Sequence, residues 1–187
     1  LRLSGGALSQ GIAVRNGRLD VDGPLSGGLL TVDAEGVLSG RGPISNEVTV
    51  AGRLAPGSSP GTMTFLSSVN MAATGILEIE VDGTSPVDGA NGYDRIVVAG
   101  EDSQFLAAGT LDVRLRDITT PATNSFTPTL GQRFSGVITT AGGIAGSFDT
   151  LSQPDSGLLS GTRFDTIYNA LSLDLVVTPE QYGNLAA

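Results

Sequence analysis

Residues 53–65 read RLAPGSSPGTMTF, in which two Pro-Gly turns separate runs that have the pattern of β-strands. Proline fixes the backbone φ angle and glycine permits a positive φ angle, so the stretch predicts two chain reversals within one short loop. The residues with these properties are Pro56, Gly57, Pro60 and Gly61. The loop also offers Ser58 and Ser59, but the chain has no histidine to activate a serine by the usual route. We therefore interpret it as a structural turn.

The unit Gly-x-apolar-x-apolar recurs on both sides of this loop. Its copies are GRLDV (17–21), GLLTV (28–32), GTMTF (61–65), GILEI (75–79) and GTLDV (109–113), with broken copies GVLSG (36–40) and GRLAP (52–56). The apolar residues of each copy lie two positions apart, which is the periodicity of a strand with one buried face. The same reasoning predicts further strands at 47–50, 95–99, 134–140 and 172–178.

Turn signals separate these units, and no long stretch has the 3.6-residue periodicity of an amphipathic helix. A sandwich, a closed barrel and a solenoid all satisfy such a pattern. Recurrent glycines at corners and an aromatic content of only 5% favour the solenoid. We therefore predict an all-β parallel solenoid over most of residues 5–140, with repeats of roughly 20–25 residues.

The composition of the 187-residue chain excludes several classes of function. Without histidine and cysteine it lacks the usual general base, the commonest metal ligand and any thiol chemistry. Its formal net charge of −9 argues against binding to nucleic acid or to anionic lipid. No apolar run reaches the ~18 residues of a membrane helix, so we expect no direct membrane insertion. Because the interior of a solenoid is packed with side chains, we also expect no cofactor.

Two groups of charged residues lie on predicted strands. Glu78 and Glu80 should point outward from one strand, and paired carboxylates can perform glycoside hydrolysis. No arginine or aromatic residue is adjacent to them in the sequence, so a solvated face is the preferred interpretation. Asp112, Arg114 and Arg116 share the outward face of another strand. They could form a ladder of ion pairs, which we prefer, or a surface site for an acidic glycan.

A third group lies in the segment DGTSPVDGANGYD (82–94). Its oxygen-bearing side chains are Asp82, Asp88, Asn91 and Asp94. Carboxylate and amide oxygens at this spacing could bind calcium. Their order fits neither of the common calcium-binding loops, and Asp and Asn beside glycine are also ordinary turn residues. We therefore favour turns and predict no metal site.

Longer segments of the chain resemble one protein family. They are VAGRLAPGSSPGTMTF (50–65), GILEIEVDG (75–83), YDRIVVAG (93–100), GTLDVRL (109–115), GQRFSGVITTAGGIAGSFDTL (131–151) and YNALSLDLVVTPEQ (168–181). In this order they resemble the C-terminal passenger region of autotransporters of Gram-negative bacteria. The most specific parts are PGSSPGT (56–62) and the step from Tyr93 to Arg95.

The resemblance implies a single-stranded right-handed parallel β-helix that is displayed on the cell surface or secreted. It further implies repeats over 1–75, an autochaperone-like C-terminal part and cap over 76–180, and the start of a linker at 181–187. The partner would be a C-terminal β-barrel of the same polypeptide, and a glycan or protein on a host or sibling cell could be bound. The expected role is non-enzymatic, as the stalk and folding nucleus of an adhesin.

Two alternatives remain open. One is a self-associating module for cell–cell adhesion or fibre formation, which flat exposed strands without charge would indicate. The other is a polysaccharide-degrading β-helix enzyme, which a groove lined by arginine, aspartate and aromatic residues would indicate.

Overall fold

The structure is a computed structural model that describes residues 1–8, 10–57 and 59–181. These residues form β-strands joined by turns and loops. The strands are β1 (Arg2–Leu3), β2 (Gly6–Leu8), β3 (Ile12–Val21), β4 (Leu25–Gly27), β5 (Leu30–Gly40), β6 (Val48–Val50), β7 (Arg53–Pro56), β8 (Thr62–Phe65), β9 (Val69–Met71), β10 (Ile76–Glu80), β11 (Arg95–Val98), β12 (Phe105–Ala107), β13 (Thr110–Arg114), β14 (Arg133–Thr140), β15 (Ile144–Gly146), β16 (Thr150–Ser152), β17 (Thr162–Tyr168) and β18 (Ser172–Pro179).

The all-β prediction is confirmed, and so is every strand that the apolar periodicity predicted. Within the described ranges no helix is long and apolar enough to span a membrane.

Most strands are parallel and stack into three groups of paired strands, here called columns A, B and C. The chain passes through the columns in the constant order A, B, C. Column A contains β1, residues 18–21 of β3, residues 37–40 of β5, and then β7, β10, β13 and β16. Column B contains β2, β4, β8, β11 and β14, with single bridges at Ile44 joining β4 to β8. Column C contains residues 12–14, residues 30–32, and then β6, β9, β12 and β15.

The strands of column A pair in a register that places one inward-facing residue of each strand beside the corresponding residue of the next strand. The stacked residues are Leu19, Leu38, Leu54, Leu77, Leu111 and Leu151. All but the last are fully or almost fully buried. Because a slip by one residue would turn each leucine to solvent, this stack specifies the register of neighbouring strands.

The predicted repeat of 20–25 residues describes only the middle of the chain, because the spacing between paired strands is shorter before it and longer after it. Leu30 pairs with Val48, 18 residues later, and Leu54 pairs with Leu77, 23 residues later. After β10 the spacing grows, and Leu77 pairs with Leu111, 34 residues later. The longer spacing comes from the long loops after β10 and β13. The strands on either side of these loops still pair in parallel with their neighbours in the columns.

The C-terminal end of column B is closed by antiparallel strands. β18 pairs with β14 on one side and with β17 on the other. Beneath these strands Phe134 makes edge-on ring contacts with three other aromatic side chains, at centroid distances of 5.6 to 6.1 Å. The largest buried side chains of the core are phenylalanines, and three of the four lie after residue 100.

Candidate functional site

The densest group of charges lies on the outward face of β7, β10 and β13. Arg53 Nη1 donates to Glu78 Oε2 at 2.6 Å and to Asp112 Oδ2 at 3.0 Å. Arg114 Nε lies 3.0 Å from Glu78 Oε2 and 3.4 Å from Asp112 Oδ2. Glu78 and Asp112 are direct neighbours in the parallel register, so the two arginines separate two like charges. All four charges are matched within this ion-pair cluster.

Arg116 does not join this cluster. Its guanidinium donates to the carbonyl oxygens of Leu115 and Phe126, at 2.8 and 2.5 Å, and to Thr127 Oγ1 at 3.1 Å. β13 ends at Arg114, but the alternation of burial continues beyond it, with Leu115 buried and Arg116 partly exposed. Arg116 therefore holds the following loop, and it also lines a depression together with Asp112 and Arg114, the other two predicted surface residues.

The structure also corrects the expectation that Glu78 has no arginine nearby. Its two arginine partners are supplied by the neighbouring strands of column A, and Arg53 is 25 residues away in the sequence. Glu80 differs from the solvated residue that we expected, because only 9% of it is exposed. The loop over 56–61, here called the Pro-Gly loop, covers it.

Two carboxyl groups are buried beneath the Pro-Gly loop. Asp94 Oδ1 accepts the amide of Gly61 at 2.5 Å, and Oδ2 accepts the amide of Glu80 at 2.9 Å. Burial raises the pKa of Glu80 to about 7, against a hydrogen bond from the Ser59 hydroxyl that lowers it. Burial, together with the neighbouring Glu80 charge, raises the pKa of Asp94 well above the usual aspartate value. Strongly shifted carboxyl groups are found at functional sites as well as in structural networks.

The Pro-Gly loop is bonded to several other segments of the chain. The amide of Gly57 donates to the carbonyl oxygen of Gly40 at 2.9 Å, and the carbonyl oxygen of Pro60 accepts the amide of Gly89 at 2.8 Å. Ser59 Oγ accepts a hydrogen bond from Thr119 Oγ1 at 2.7 Å. These contacts fix the loop between β5, β10 and the two long loops that follow β10 and β13.

Within the described residues of the Pro-Gly loop, Gly57 and Ser59 have positive φ angles, of 81° and 45°. Gly61 does not share this conformation, although the sequence suggested it. Gly61 instead lies close to Gly57, since a Cβ atom on Gly57 would be 2.3 Å from Gly61 Cα. Pro56 is the buried last residue of β7. Ser58, the other candidate nucleophile, lies outside the described residues.

Gly57→Ala tests this close approach, and Gly131→Ala is its matched control. Both glycines have a φ angle of 81°, but a Cβ atom on Gly131 would meet nothing within 4 Å. We expect Gly57→Ala to lower the free energy of unfolding by about 1–3 kcal/mol more than Gly131→Ala does, because backbone must move to admit the methyl group. Urea unfolding of both variants measures the difference. Equal losses would mean that the φ angle alone requires glycine.

The acidic residues of segment 82–94 accept hydrogen bonds from amides. Asp82 accepts the amides of Asn91, Thr123 and Asn124 and the hydroxyl of Thr123, at 2.7 to 3.2 Å. Asp88 Oδ1 accepts the amide of Thr62 at 2.8 Å. Burial opposes ionisation of Asp82, but these bonds outweigh it and lower the pKa of that carboxyl. These contacts fit the turn interpretation, and the described ranges contain no group of three or more acidic residues placed to hold a metal ion.

A depression of about 190 Å³ lies between the ion-pair cluster and the Pro-Gly loop. The polar side chains that line it are Arg18, Ser59, Glu78, Glu80, Arg114, Asp117 and Thr119. A carboxyl group with a pKa of about 7 beside a serine hydroxyl can accept or donate a proton at neutral pH. Sequence reasoning did not predict that Ser59 lies beside Glu80, since Ser59 belongs to the loop before β8 and Glu80 to the end of β10.

No protein-family model matches the chain, and no curated protein matches it significantly.

Proposed function

We propose that the chain is a segment of a right-handed parallel β-helix that serves as the non-enzymatic stalk and folding nucleus of an autotransporter passenger. In this proposal the protein is displayed on the surface of a Gram-negative bacterium or secreted from it. The proposal rests on the resemblance of roughly residues 48–180 to such passengers and on the physical features described below.

The constant order of the three columns supports the β-helix. Each strand of column A is followed by passage through columns B and C before the chain returns to column A one position further on. Parallel strands of one sheet that are joined by such crossovers are connected with a right-handed turn in nearly all proteins. A right-handed helix is therefore the expected path.

The two ends of the stack differ in how many side chains they bury, and this difference is the observation that supports the proposed role in folding. None of the side chains described before Val14 is buried, whereas Phe105, Phe134 and Phe164 are fully buried near the other end. That end is also closed by β17 and β18. In a stack, each repeat is stabilised by its neighbours, so a well-packed closed end can form first and present an edge to the rest.

The paired charges support the non-enzymatic part of the proposal. Glu78 and Asp112 are both bonded to arginines, so neither carboxylate is free to act on a sugar. The residues that line the neighbouring depression include no aromatic side chain on which a sugar ring could stack.

Limited trypsin digestion tests the folding role. The chain contains ten arginines and no lysine, with five arginines on each side of residue 75, so the two halves offer equal numbers of cleavage sites. We expect cleavage first at Arg2, Arg15 and Arg18, and a resistant fragment that ends near the C-terminus. Mass spectrometry identifies the fragments. A resistant fragment from residues 1–75, with the later half digested first, would contradict the proposal.

A second candidate function is self-association through column C. Its outward positions align in the parallel register and carry no charge. They are Thr31, Thr49, Asn70, Leu106 and Ala145. Two uncharged sheet faces can come into contact without removing charged groups from water. Contact through the ion-pair cluster of column A would require that desolvation. This face is the feature that the adhesion or fibre alternative requires.

Sedimentation velocity with a charged substitution tests this second candidate. Thr49→Arg places a charge at the centre of the column C face, and Thr64→Arg places one on the outward side of β8 as a control. If column C mediates association, the first variant is monomeric at concentrations at which the control and the unmodified chain associate. A monomeric unmodified chain at all concentrations would exclude it for this segment.

A further inference from the structure

The chain contains two Asn-Gly pairs, Asn16-Gly17 in β3 and Asn91-Gly92 in the loop after β10. Asparagine is among the thermolabile residues of proteins. In such a pair the glycine amide nitrogen can attack the side-chain carbonyl carbon of the asparagine, since glycine has no Cβ atom to obstruct the approach. A C–N bond forms, ammonia leaves, and a cyclic succinimide results. Water then opens this ring to aspartate or to isoaspartate, whose main chain runs through the side-chain carbons.

The Asn91-Gly92 pair is enclosed by the chain around it. The attacking nitrogen would be the Gly92 amide, which already donates to the carbonyl oxygen of Gly89 at 3.1 Å. The Asn91 amide donates to Asp82 Oδ2 at 3.2 Å. Gly92 is buried, and a Cβ atom on it would lie 1.9 Å from the carbonyl oxygen of Val87. The Gly92 nitrogen therefore cannot turn toward the asparagine side chain without breaking these contacts.

The Asn16-Gly17 pair lies in an open stretch of β3. Both residues are exposed, Gly17 has a φ angle of 79°, and a Cβ atom on it would meet nothing within 4 Å. Among the described residues β1 pairs only with Asp20 and Val21 of β3, so Asn16 and Gly17 have a partner strand, β5, on one side alone. The register with β5 also shifts between Val14 and Asn16. Local opening that frees the Gly17 amide therefore breaks few contacts.

The charges around the two pairs differ in the same direction. The glycine amide must lose its proton in the reaction, and a nearby carboxylate disfavours the negative charge that develops. At Asn91 the carboxylate of Asp82 is in direct contact with the main chain. Asn16 instead follows Arg15, while Glu35 is its neighbour in β5. Burial, hydrogen bonding and charge thus all favour reaction at Asn16 over reaction at Asn91.

We propose that Asn16 is a site of spontaneous deamidation and that the fold protects Asn91 from the same reaction. Conversion places a carboxylate at position 16, beside Glu35 in the parallel register, and neighbouring like charges destabilise a pair of strands. Isoaspartate also adds a methylene group to the main chain of β3, which disrupts its pairing with β5. The modification therefore loosens the first strands of the stack. This reactivity is a property of the chain itself and does not depend on the function proposed above.

Digestion with endoproteinase Asp-N and mass spectrometry measure both sites in one experiment. The enzyme cleaves before aspartate, so residues 1–19 carry Asn16 and residues 88–93 carry Asn91. After incubation of the folded chain at mildly alkaline pH, we expect conversion at Asn16 to be at least about tenfold faster than at Asn91. Aspartate at position 16 creates a new cleavage site and isoaspartate does not, so the digest also separates the two products.

The same incubation in urea shows whether the fold causes the difference. Without the fold, the two pairs should convert at rates within about threefold of each other. Equal rates at Asn16 and Asn91 in the folded chain would overturn the proposal. So would a folded chain in which Asn16 does not react although it reacts in urea.

Asn16→Asp tests the effect of the new charge on the first strands. We expect the amides of residues 12–18 to exchange hydrogen several-fold faster in this variant than in the unmodified chain. Asn70→Asp is the matched control, because Asn70 is also exposed on a strand but its register neighbours are the uncharged Thr49 and Leu106. It should leave exchange in β9 unchanged. Unchanged exchange over residues 12–18 in Asn16→Asp would contradict the loosening.

Discussion

Phe134→Ala should lower the free energy of unfolding by about 3–5 kcal/mol, the usual cost of deleting a buried aromatic side chain. Phe134 is fully buried and lies at the centre of an aromatic cluster, where its ring contacts those of Tyr93, Phe126 and Phe164. The three partners come from the loop after β10, the loop after β13 and β17. The cavity would remove contacts from all three segments at once, which limits how far any of them can relax.

Urea unfolding measures this effect, and Leu171→Ala serves as its control. Leu171 is a large apolar residue in the same end of the molecule, but it is 55% exposed. Its truncation should change the free energy of unfolding by about 0.5 kcal/mol or less. Similar losses for the two variants would show that the aromatic cluster is not the main support of the C-terminal end.

Asp82→Ala should lower the free energy of unfolding by about 2–4 kcal/mol, since it removes the buried carboxylate that accepts three partly buried amides and a hydroxyl. The Asp82 carboxyl joins the loop after β10 to the loop after β13 through hydrogen bonds to Asn91, Thr123 and Asn124. Asp88→Ala is the matched control, because Asp88 is exposed and accepts the single amide of Thr62. Its expected cost is about 1 kcal/mol or less.

Asp82 also gives the stability of the chain a pH dependence. Its lowered pKa means that its contribution to stability is present above the ordinary aspartate pKa and is lost as the pH falls through the folded value. The difference in unfolding free energy between the unmodified chain and Asp82→Asn should therefore shrink below about pH 4. A difference that is constant with pH would mean that an amide side chain serves the two loops equally well.

The strands that the sequence predicted correctly share a local signal. In GRLDV, GILEI and GTLDV the alternation of apolar and polar residues is complete within five positions, and these units became parts of β3, β10 and β13. The seven-residue β17 was missed, and so were short strands such as β9 and β12, which have three residues each. Over three residues one alternation cannot be distinguished from a loop, and these strands exist because the neighbouring strands of column C pair with them.

The positions of the charged residues also depend partly on local sequence and partly on pairing between distant strands. That Asp112 and Arg114 lie on one face follows from alternation alone. That Arg53 and Glu78 complete the ion-pair cluster follows from the register of column A, which pairs residues of different repeats. The burial of Glu80 and the bond from Arg116 to the carbonyl oxygen of Phe126 likewise depend on segments that are distant in the sequence.

By itself the sequence determined the all-β class, the strands with a clear alternation of apolar residues, and the main turns of the chain. These features depend on residues within a few positions of each other, because the two-residue period of a strand and the φ preferences of glycine and proline are local. Tertiary structure alone decided the unequal spacing of the repeats, the antiparallel closure by β17 and β18, and the meeting of Ser59, Glu80 and Asp94. Each of these depends on which distant segments become neighbours, and the burial and pKa of a carboxyl group follow from those neighbours.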